Sequence, residues 1–404
     1  MKLSLNKTAE KLVWILTVCV LTTYILFETY TWGRYVFFCS SLLIALLSSV
    51  RHKGKITIRI QAFHWFMLLF SGYCALTSMW ALAPADVTRK AKTILQILMC
   101  ATMIYVYYQN EQDVYKLLSV VKWAGYFVSV YAILFYGMDQ IMAGSRLNNE
   151  FSNINSVGMA AAVACTIQVH EWIRGGKRWS ALFMIPCVLV IAATQSRKAM
   201  LILLLGIFGV YMLKKRAGKG ILHQLVKIIG VTLVALIAVA LVYSLPIFDG
   251  VRERMNSMLA GVLGTGKTDS STLKRLAMID LGIEWFLKKP IGGVGIGCPH
   301  VLAAQYLNIN AYLHNNFAEL LCGGGVLGFV IYYAMYVYLF VHLLRYKDAD
   351  REQFEVCLVW LTLMLIMDYG MVSYYSKSQW FYLMVHFLNI SCLKKKSELM
   401  KSAT

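Results

Sequence analysis

NFAELLCGGGVLGFVIYYAMYVYLFVH, residues Asn316–His342, runs for 27 residues with a single carboxylate, Glu319. About 20 apolar residues wound as a helix cross the roughly 30 Å of a bilayer's hydrocarbon core, so the stretch reads as a membrane span. The rest of the chain supports that reading. Of its 404 residues 59% are hydrophobic and only 15% charged, and the mean hydropathy is +0.61. A soluble domain carries roughly a quarter charged residues. Further apolar runs lie near 12–31, 35–50, 61–83, 93–109, 117–138, 154–172, 180–195, 199–213, 225–246, 353–372 and 379–393. The expected fold is all-α: a polytopic transmembrane helical bundle of about 12 spans. The runs at 180–195 and 199–213 are short and close together, which leaves a re-entrant pair open there. No small-residue cleavage site follows the first run, so it reads as an anchor and not a removed signal peptide.

The net charge of +19 would suit a nucleic-acid binder, but its distribution does not. With the N-terminus inside, 23 of the 39 basic residues fall in short inner segments, eight in short outer ones and seven in one long outer loop. This is the positive-inside bias, and it puts both termini in the cytoplasm. The basic clusters are then topology determinants, and nucleic acid is not expected as a partner. The ten cysteines are scattered and none forms C-x-x-C. They read as small buried hydrophobes, with Cys298 and Cys322 nearest the outer face, and neither a disulfide framework nor a metal site is expected.

Four regions follow: an N-terminal bundle over 1–246, a long extracytoplasmic loop over 247–313, C-terminal transmembrane helices over 314–393 and a basic cytoplasmic tail over 394–404. A loop of that length in a compact protein is usually functional. Its middle, STLKRLAMIDLGIEWFLKKP, predicts an amphipathic helix ended by Pro290, with Leu273, Leu276, Ala277, Leu281 and Trp285 on one face. IGGVGIGCPH follows as a glycine-rich turn region.

Inside that loop, Gly261–Thr268 spells GVLGTGKT, the G-x-x-x-x-G-K-[ST] pattern of a phosphate-binding loop. A working loop of that kind needs a buried strand before it and a helix starting at its Lys-Thr. Here charged VRERMNSMLA precedes and turn-forming DSST follows, on the side where nucleotide is scarce. The match reads as coincidence.

Three residues near outer span ends invite a chemical reading: Arg197 between the seventh and eighth runs, Arg275 in the amphipathic helix and His314 before the tenth run. Each has a bland alternative, since interfacial arginines snorkel to headgroups and a histidine can cap a helix. Together they suggest an outward-facing anion site. Arginine forks bind phosphate oxygens with paired bonds and stay charged at any working pH. A helix N-terminus beside His314 favours the neutral imidazole that a general base needs. Asn315 and Asn316 could orient the imidazole or hold sugar hydroxyls. Glu319 could touch substrate or simply stabilise the first helical turn. Gly293 and Gly295 would allow close backbone approach to a phosphate, or form a plain turn. Arg146 with Asn153 and Asn155 could line a sugar path, or a solvated loop. Arg89 and Lys90 fit secondary phosphate contacts or interfacial anchors.

HNNFAELLCGGGVLGFVIYY resembles the His-Asn, aromatic, acid-or-amide, Gly-x-x-Gly signature of the O-antigen ligase and O-antigen polymerase superfamily. SRKA at 196–199 is similar to its Ser-Arg-x-Ala element, and KRLAMIDLGIEWFLKKPIGGVGIG to its Arg, Trp, Phe, Pro, Gly-x-Gly-x-Gly block. RLNNEFSNINSVGMAAA resembles its Arg, Asn-x-Asn stretch entering a span. The resemblance covers about residues 140–345. One departure is Gly323, where many members carry an acid.

The resemblance implies a GT-C-like membrane glycosyltransferase, inverting and metal-independent, without cofactor, in a bacterial plasma membrane. Its donor would be a glycan on a polyprenyl diphosphate and its acceptor a second glycan, with flippase and chain-length regulator proteins as partners. By the same resemblance, Arg197 and Arg275 grip the diphosphate and His314 assists the attacking hydroxyl. Polymerisation of lipid-linked repeat units is the leading reading; ligation of finished glycan to a lipid A core or another acceptor is the alternative. A transporter is less well supported, because no repeated halves are visible. Lys267→Ala is expected to leave polymer output unchanged. A dead Lys267→Ala protein with normal expression would restore the nucleotide reading.

Overall fold

The computed structural model describes residues 2–28, 30–51, 58–109, 115–214, 230, 244, 248–250, 252–253, 255–257 and 270–403. The GVLGTGKT stretch and nearly all of the run at 225–246 lie outside the described residues. The helices are α1 (Lys2–Leu26), α2 (Thr31–Arg51), α3 (Ala62–Leu76), α4 (Pro84–Tyr108), α5 (Tyr115–Tyr136), α6 (Met138–Met142), α7 (Ile154–Ile173), α8 (Met184–Thr194) and α9 (Arg197–Leu213). After the outer segment come α10 (Ser270–Lys288), α11 (Pro299–Leu307), α12 (Asn316–Arg345), α13 (Arg351–Met367) and α14 (Lys377–Ala403). No strand occurs among the described residues.

Six of these helices are long and apolar enough to cross a membrane, over Thr8–Leu26, Thr31–Ser49, Ala62–Met79, Pro84–Tyr108, Tyr115–Tyr136 and Asn316–Arg345. The runs at 154–172, 180–195, 199–213, 353–372 and 379–393 are helical as well. As α7, α8, α9, α13 and α14 they are shorter or more polar than such a span requires. Among the described residues, six of the expected spans meet those grounds, and the run at 225–246 lies almost wholly outside them. Polar side chains inside the bundle explain part of the shortfall. Gln168 of α7 accepts from Tyr126 at 2.8 Å, and Glu171 pairs with Lys122 of α5. Helix α14 carries the basic residues after 393 on to Ala403.

Helix α7 is the centre of the N-terminal bundle, with every residue from Val157 to His170 buried. Its small residues let neighbours approach closely, as at helix interfaces in membranes generally. A Cβ added to Gly125 of α5 would stand 2.6 Å from both Ala160 O and Ala164 Cβ. One added to Gly158 would stand 2.7 Å from Thr194 Oγ1 and 3.1 Å from Ala199 Cβ, so α7 presses against the α8–α9 junction.

Helix α12 is broken at Gly325, whose φ of 61° and ψ of −166° lie in a region that essentially only glycine occupies. The break frees carbonyls of the preceding turn, and buried orphan carbonyls are costly in a bilayer. The glycine-rich segment after Pro290 satisfies them. Val294 N donates to Cys322 O at 2.9 Å and Gly295 N to Gly323 O at 2.8 Å. In return Val326 N donates to Pro290 O at 2.8 Å, while Tyr73 Oη caps Gly324 O at 2.5 Å. The same segment is stitched to the α3–α4 turn, where Leu82 N donates to Val294 O at 3.0 Å and Ile296 N to Thr77 Oγ1 at 3.1 Å.

Helix α10 packs on α12 at Gly282, where an added Cβ would stand 2.5 Å from Leu313 Cδ1. Met278, Leu281 and Gly282 are its buried residues. Along the predicted apolar face, Leu281 is buried, while Leu273 and Leu276 are exposed. Closest approach at a glycine turns that edge of the helix inward and leaves the early leucines outside. Gly325→Ala is expected to cost about 1–3 kcal/mol, because the alanine methyl would collide with the Ile291 carbonyl. A lowered melting temperature of the purified protein reads this out; an unchanged one would show that the break tolerates a side chain.

Candidate functional site

The Ser-Arg-Lys-Ala stretch owes its form to local geometry. Gln195 adopts a left-handed conformation that ends α8, and Ser196 caps α9, its Oγ accepting Ala199 N at 3.4 Å. Ala199 is wholly buried against α7. Arg197 and Lys198 are therefore set in the first turn of α9. Two bonds dock the preceding loop on this turn: Gln195 Nε2 to Gly144 O at 2.8 Å and Leu147 N to Ala193 O at 3.2 Å. Arg146 lies within that loop.

From the far side of the chain, α10 brings Thr272 and Arg275. Both terminal nitrogens of Arg197 reach Thr272 Oγ1, at 3.3 and 3.4 Å. Arg275 follows three residues on, along the same helix. The positive charges of Arg275, Arg146 and Arg197 all act on Lys198. Four cations from three separate stretches of sequence thus share one neighbourhood.

His314 stands beside them in a left-handed conformation, φ 58°, which is uncommon for a residue with a side chain. Its neighbours hold it there. Leu313 is fully buried and its N–H donates to Glu319 Oε2 at 2.9 Å. Asn315 caps α12 by accepting Ala318 N at 3.0 Å. Asn316 N donates to Asp368 O at 2.7 Å, and its side-chain oxygen accepts Ser373 N at 2.9 Å. Tyr333 Oη donates to Asp368 Oδ2 at 3.0 Å. The imidazole lies against Tyr312, with ring centroids 4.2 Å apart and the ring planes tilted by 51°. Burial first, and then the charges of Arg275 and Lys198, lower the His314 pKa to about 4. The ring is neutral at any physiological pH. Sequence reasoning expected that state from the helix dipole; burial and neighbouring cations produce it here.

The other predicted residues divide. Arg146 joins the cation group, acting on Lys198. Asn315 and Glu319 are buried and spend side-chain oxygens on backbone N–H groups, so both shape the segment that holds His314. Asn155 lies in the first turn of α7, where Asn153 accepts its backbone N–H at 3.1 Å, a capping geometry. Gly293 and Gly295, at φ 64° and 106°, serve the α12 break.

A cavity of about 960 Å³ adjoins this group without containing Arg197, Arg275 or His314. Tyr312 and Glu319 form the wall nearest His314, and Glu28, Lys90, Tyr375 and Lys377 stand among its other lining residues. Lys90 Nζ lies 3.2 Å from the centroid of the Tyr375 ring. Asp86 bridges Arg89 at 2.8 Å and His300 at 3.2 Å. Mixed charge and tyrosine faces suit a saccharide, whose hydroxyls seek polar groups while its rings lie against aromatics. Phe37, Phe38, Ile97 and Met99 give the cavity an apolar side.

Sequence reasoning did not single out Lys198, Tyr312 or the Asp368–Tyr333–Asn316 contact. Lys198 had a local signal, since it adjoins Arg197 in a capped first turn. Asp368 stood out as an ionisable residue within an apolar run, but its contact left no local signal, because its partners are 35 and 52 residues away.

Residues 180–333 match the family described as O-antigen ligase. That region holds Arg197, Arg275 and His314, and the cavity wall at Tyr312 and Glu319. No curated protein matches the chain.

If His314 accepts a proton in turnover, kcat/KM should stay level as pH falls through the ordinary histidine range and drop only near pH 4. The neutral form is the active one, and kcat/KM reports the free enzyme's pKa. Lys198→Gln removes a charge that lowers this pKa and should move the acid limb upward. An acid limb near 6.5 in both proteins would contradict the assignment.

Proposed function

We propose that this member of the O-antigen ligase and polymerase superfamily is a polysaccharide polymerase, extending a glycan held on a polyprenyl diphosphate. The observation that carries the reading is the gathering of Arg197, Lys198 and Arg275 beside a neutral, buried imidazole. Cations so grouped bind a diphosphate, and neutral histidine takes up a proton.

In the proposed reaction the acceptor hydroxyl oxygen attacks the anomeric carbon of the donor sugar. The carbon–oxygen bond to the diphosphate breaks on the opposite face, which inverts the centre. The bonding pair leaves on the diphosphate, where Arg197 and Arg275 stabilise the charge that develops. The hydroxyl proton passes to His314. Positioned cations can supply several kcal/mol of transition-state stabilisation, so the reading calls for no metal. The 960 Å³ cavity lined by Tyr312 and Glu319 would hold the acceptor saccharide. Glu319 and Asn315 act as positioning residues through the backbone on either side of His314.

Purified protein given a lipid-diphosphate oligosaccharide, with chelator and without nucleotide, should lengthen the glycan. Arg197→Ala and Arg275→Ala should each lose on the order of 10²–10³ in rate, and His314→Ala about 10²–10⁴, with membrane insertion intact. Wild-type rates from His314→Ala would remove it as the base, and loss of activity on chelation would overturn metal independence. The family description itself favours the ligase reading as second choice. Transfer to a lipid A core with no lengthening of the repeat unit would establish it instead. Passage of the lipid-linked glycan between leaflets without sugar transfer would overturn both.

A further inference from the structure

A second cavity, about 710 Å³, lies at the other end of α12 from His314. Helix α12 has 30 residues, so at 1.5 Å per residue its two ends stand up to about 45 Å apart, roughly a bilayer with its headgroups. The proposed active site and this cavity therefore belong to opposite membrane faces. Charge bias in the sequence assigns the second face to the cytoplasm.

Arg345, Lys394, Lys395 and Lys401 line the cavity against a single carboxylate, Glu398. The positive-inside bias accounts for basic residues on this face, and the α12 C-terminus favours a cation or two near its end. Neither explains why four converge on one hollow from two helices. The α14 residues involved recur at helical spacing, from Phe387 and Ile390 through Ser391 to Lys394, Lys395, Glu398 and Lys401. The lining therefore grades from apolar to cationic along one face of α14. Its apolar end is an aromatic wall: Tyr338 stacks on His342 with centroids 3.9 Å apart and on Phe387 at 5.5 Å. One side is closed by Lys395 Nζ, which donates to Gln109 O at 2.9 Å. Another is closed by Ser391 Oγ, which donates to Gln61 Oε1 at 2.9 Å. Lys394 is held only loosely by Glu398, at 3.9 Å.

We propose that this cavity binds a phosphate-bearing anion, with the phosphate among Arg345, Lys394 and Lys401 and any apolar portion against Phe387 and Tyr338. An acidic phospholipid headgroup and a free phosphate share this chemistry. The volume falls in the range of ligand sites, about 300–1,000 Å³. The site is independent of the glycosyl-transfer reading and shares no residue with it.

The test titrates the purified protein, in neutral detergent, with phosphatidylglycerol, phosphatidylcholine and inorganic phosphate, reading affinity and melting temperature. Binding of phosphatidylglycerol but not phosphatidylcholine is expected. The pair Lys394→Gln with Lys401→Gln should weaken it about 10- to 30-fold, while Lys394→Arg with Lys401→Arg retains it. A melting temperature near wild type without ligand checks that the pair variant folds. Lys347→Gln removes an exposed charge at the same end of α12, outside the cavity, and should change little. Response to inorganic phosphate alone would assign the site to a soluble phosphate. Absence of binding by either phosphate source, or an equal loss in Lys347→Gln, would overturn the proposal.

Discussion

A helix broken inside an apolar environment must have its freed carbonyls satisfied by protein, since no water is there to do it. In this protein that constraint falls on α12 at Gly325, and the 290–296 segment meets it. Much of the outer region depends on the resulting seam. It fixes where α10 ends, and packing of Gly282 against Leu313 then fixes how α10 lies. Arg275 is on α10 and Leu313 precedes His314, so the seam ties a cation to the imidazole it influences. The same segment reaches back to the α3–α4 turn, next to Lys90 and the large cavity.

Charge is arranged differently at two places in the bundle. Near the start of α13, Arg174 meets Glu352 and Glu355, and Arg351 meets Glu355 as well. Around His314, the charges of Arg146, Arg197 and Arg275 act on Lys198, and those of Arg275 and Lys198 act on the imidazole. Gathering like charges costs free energy in the absence of a counter-charge. In the proposed reaction, a diphosphate arriving there would offset part of that cost.

Some of the site was legible in the sequence because its geometry is local. Ser196 caps the helix that begins at Arg197, and Asn315 caps the one that follows His314. Caps act within three residues, so a short motif records them. The neutral state of His314 was also foreseen, but from the dipole; burial dominates, and burial depends on Tyr312, Arg275 and the rest of the fold. Leu273 and Leu276 stay exposed for a related reason. Periodicity finds an apolar stripe, while a neighbour's closest approach, here at Gly282, decides which edge of it is covered. The glycines at 293 and 295 invited a phosphate reading. In the fold, Gly295 N donates to Gly323 O at the helix break some 30 residues further along the chain, Gly293 N donates to Lys289 O, and both glycines hold positive φ.

Hydropathy by itself determined that the chain is helical and suited to a membrane, because 20-residue apolar segments leave the backbone few other ways to satisfy its hydrogen bonds. Short motifs placed Arg197, Arg275 and His314 as the residues of interest. Tertiary structure alone decided that the three meet, that Lys198 and Arg146 join them, and that Asp368 anchors the turn beside His314. It also decided that Lys122 of α5 meets Glu171 of α7 across the bundle. Contacts of that range are set by packing and by paired charges, and neither leaves a periodic signal in the chain.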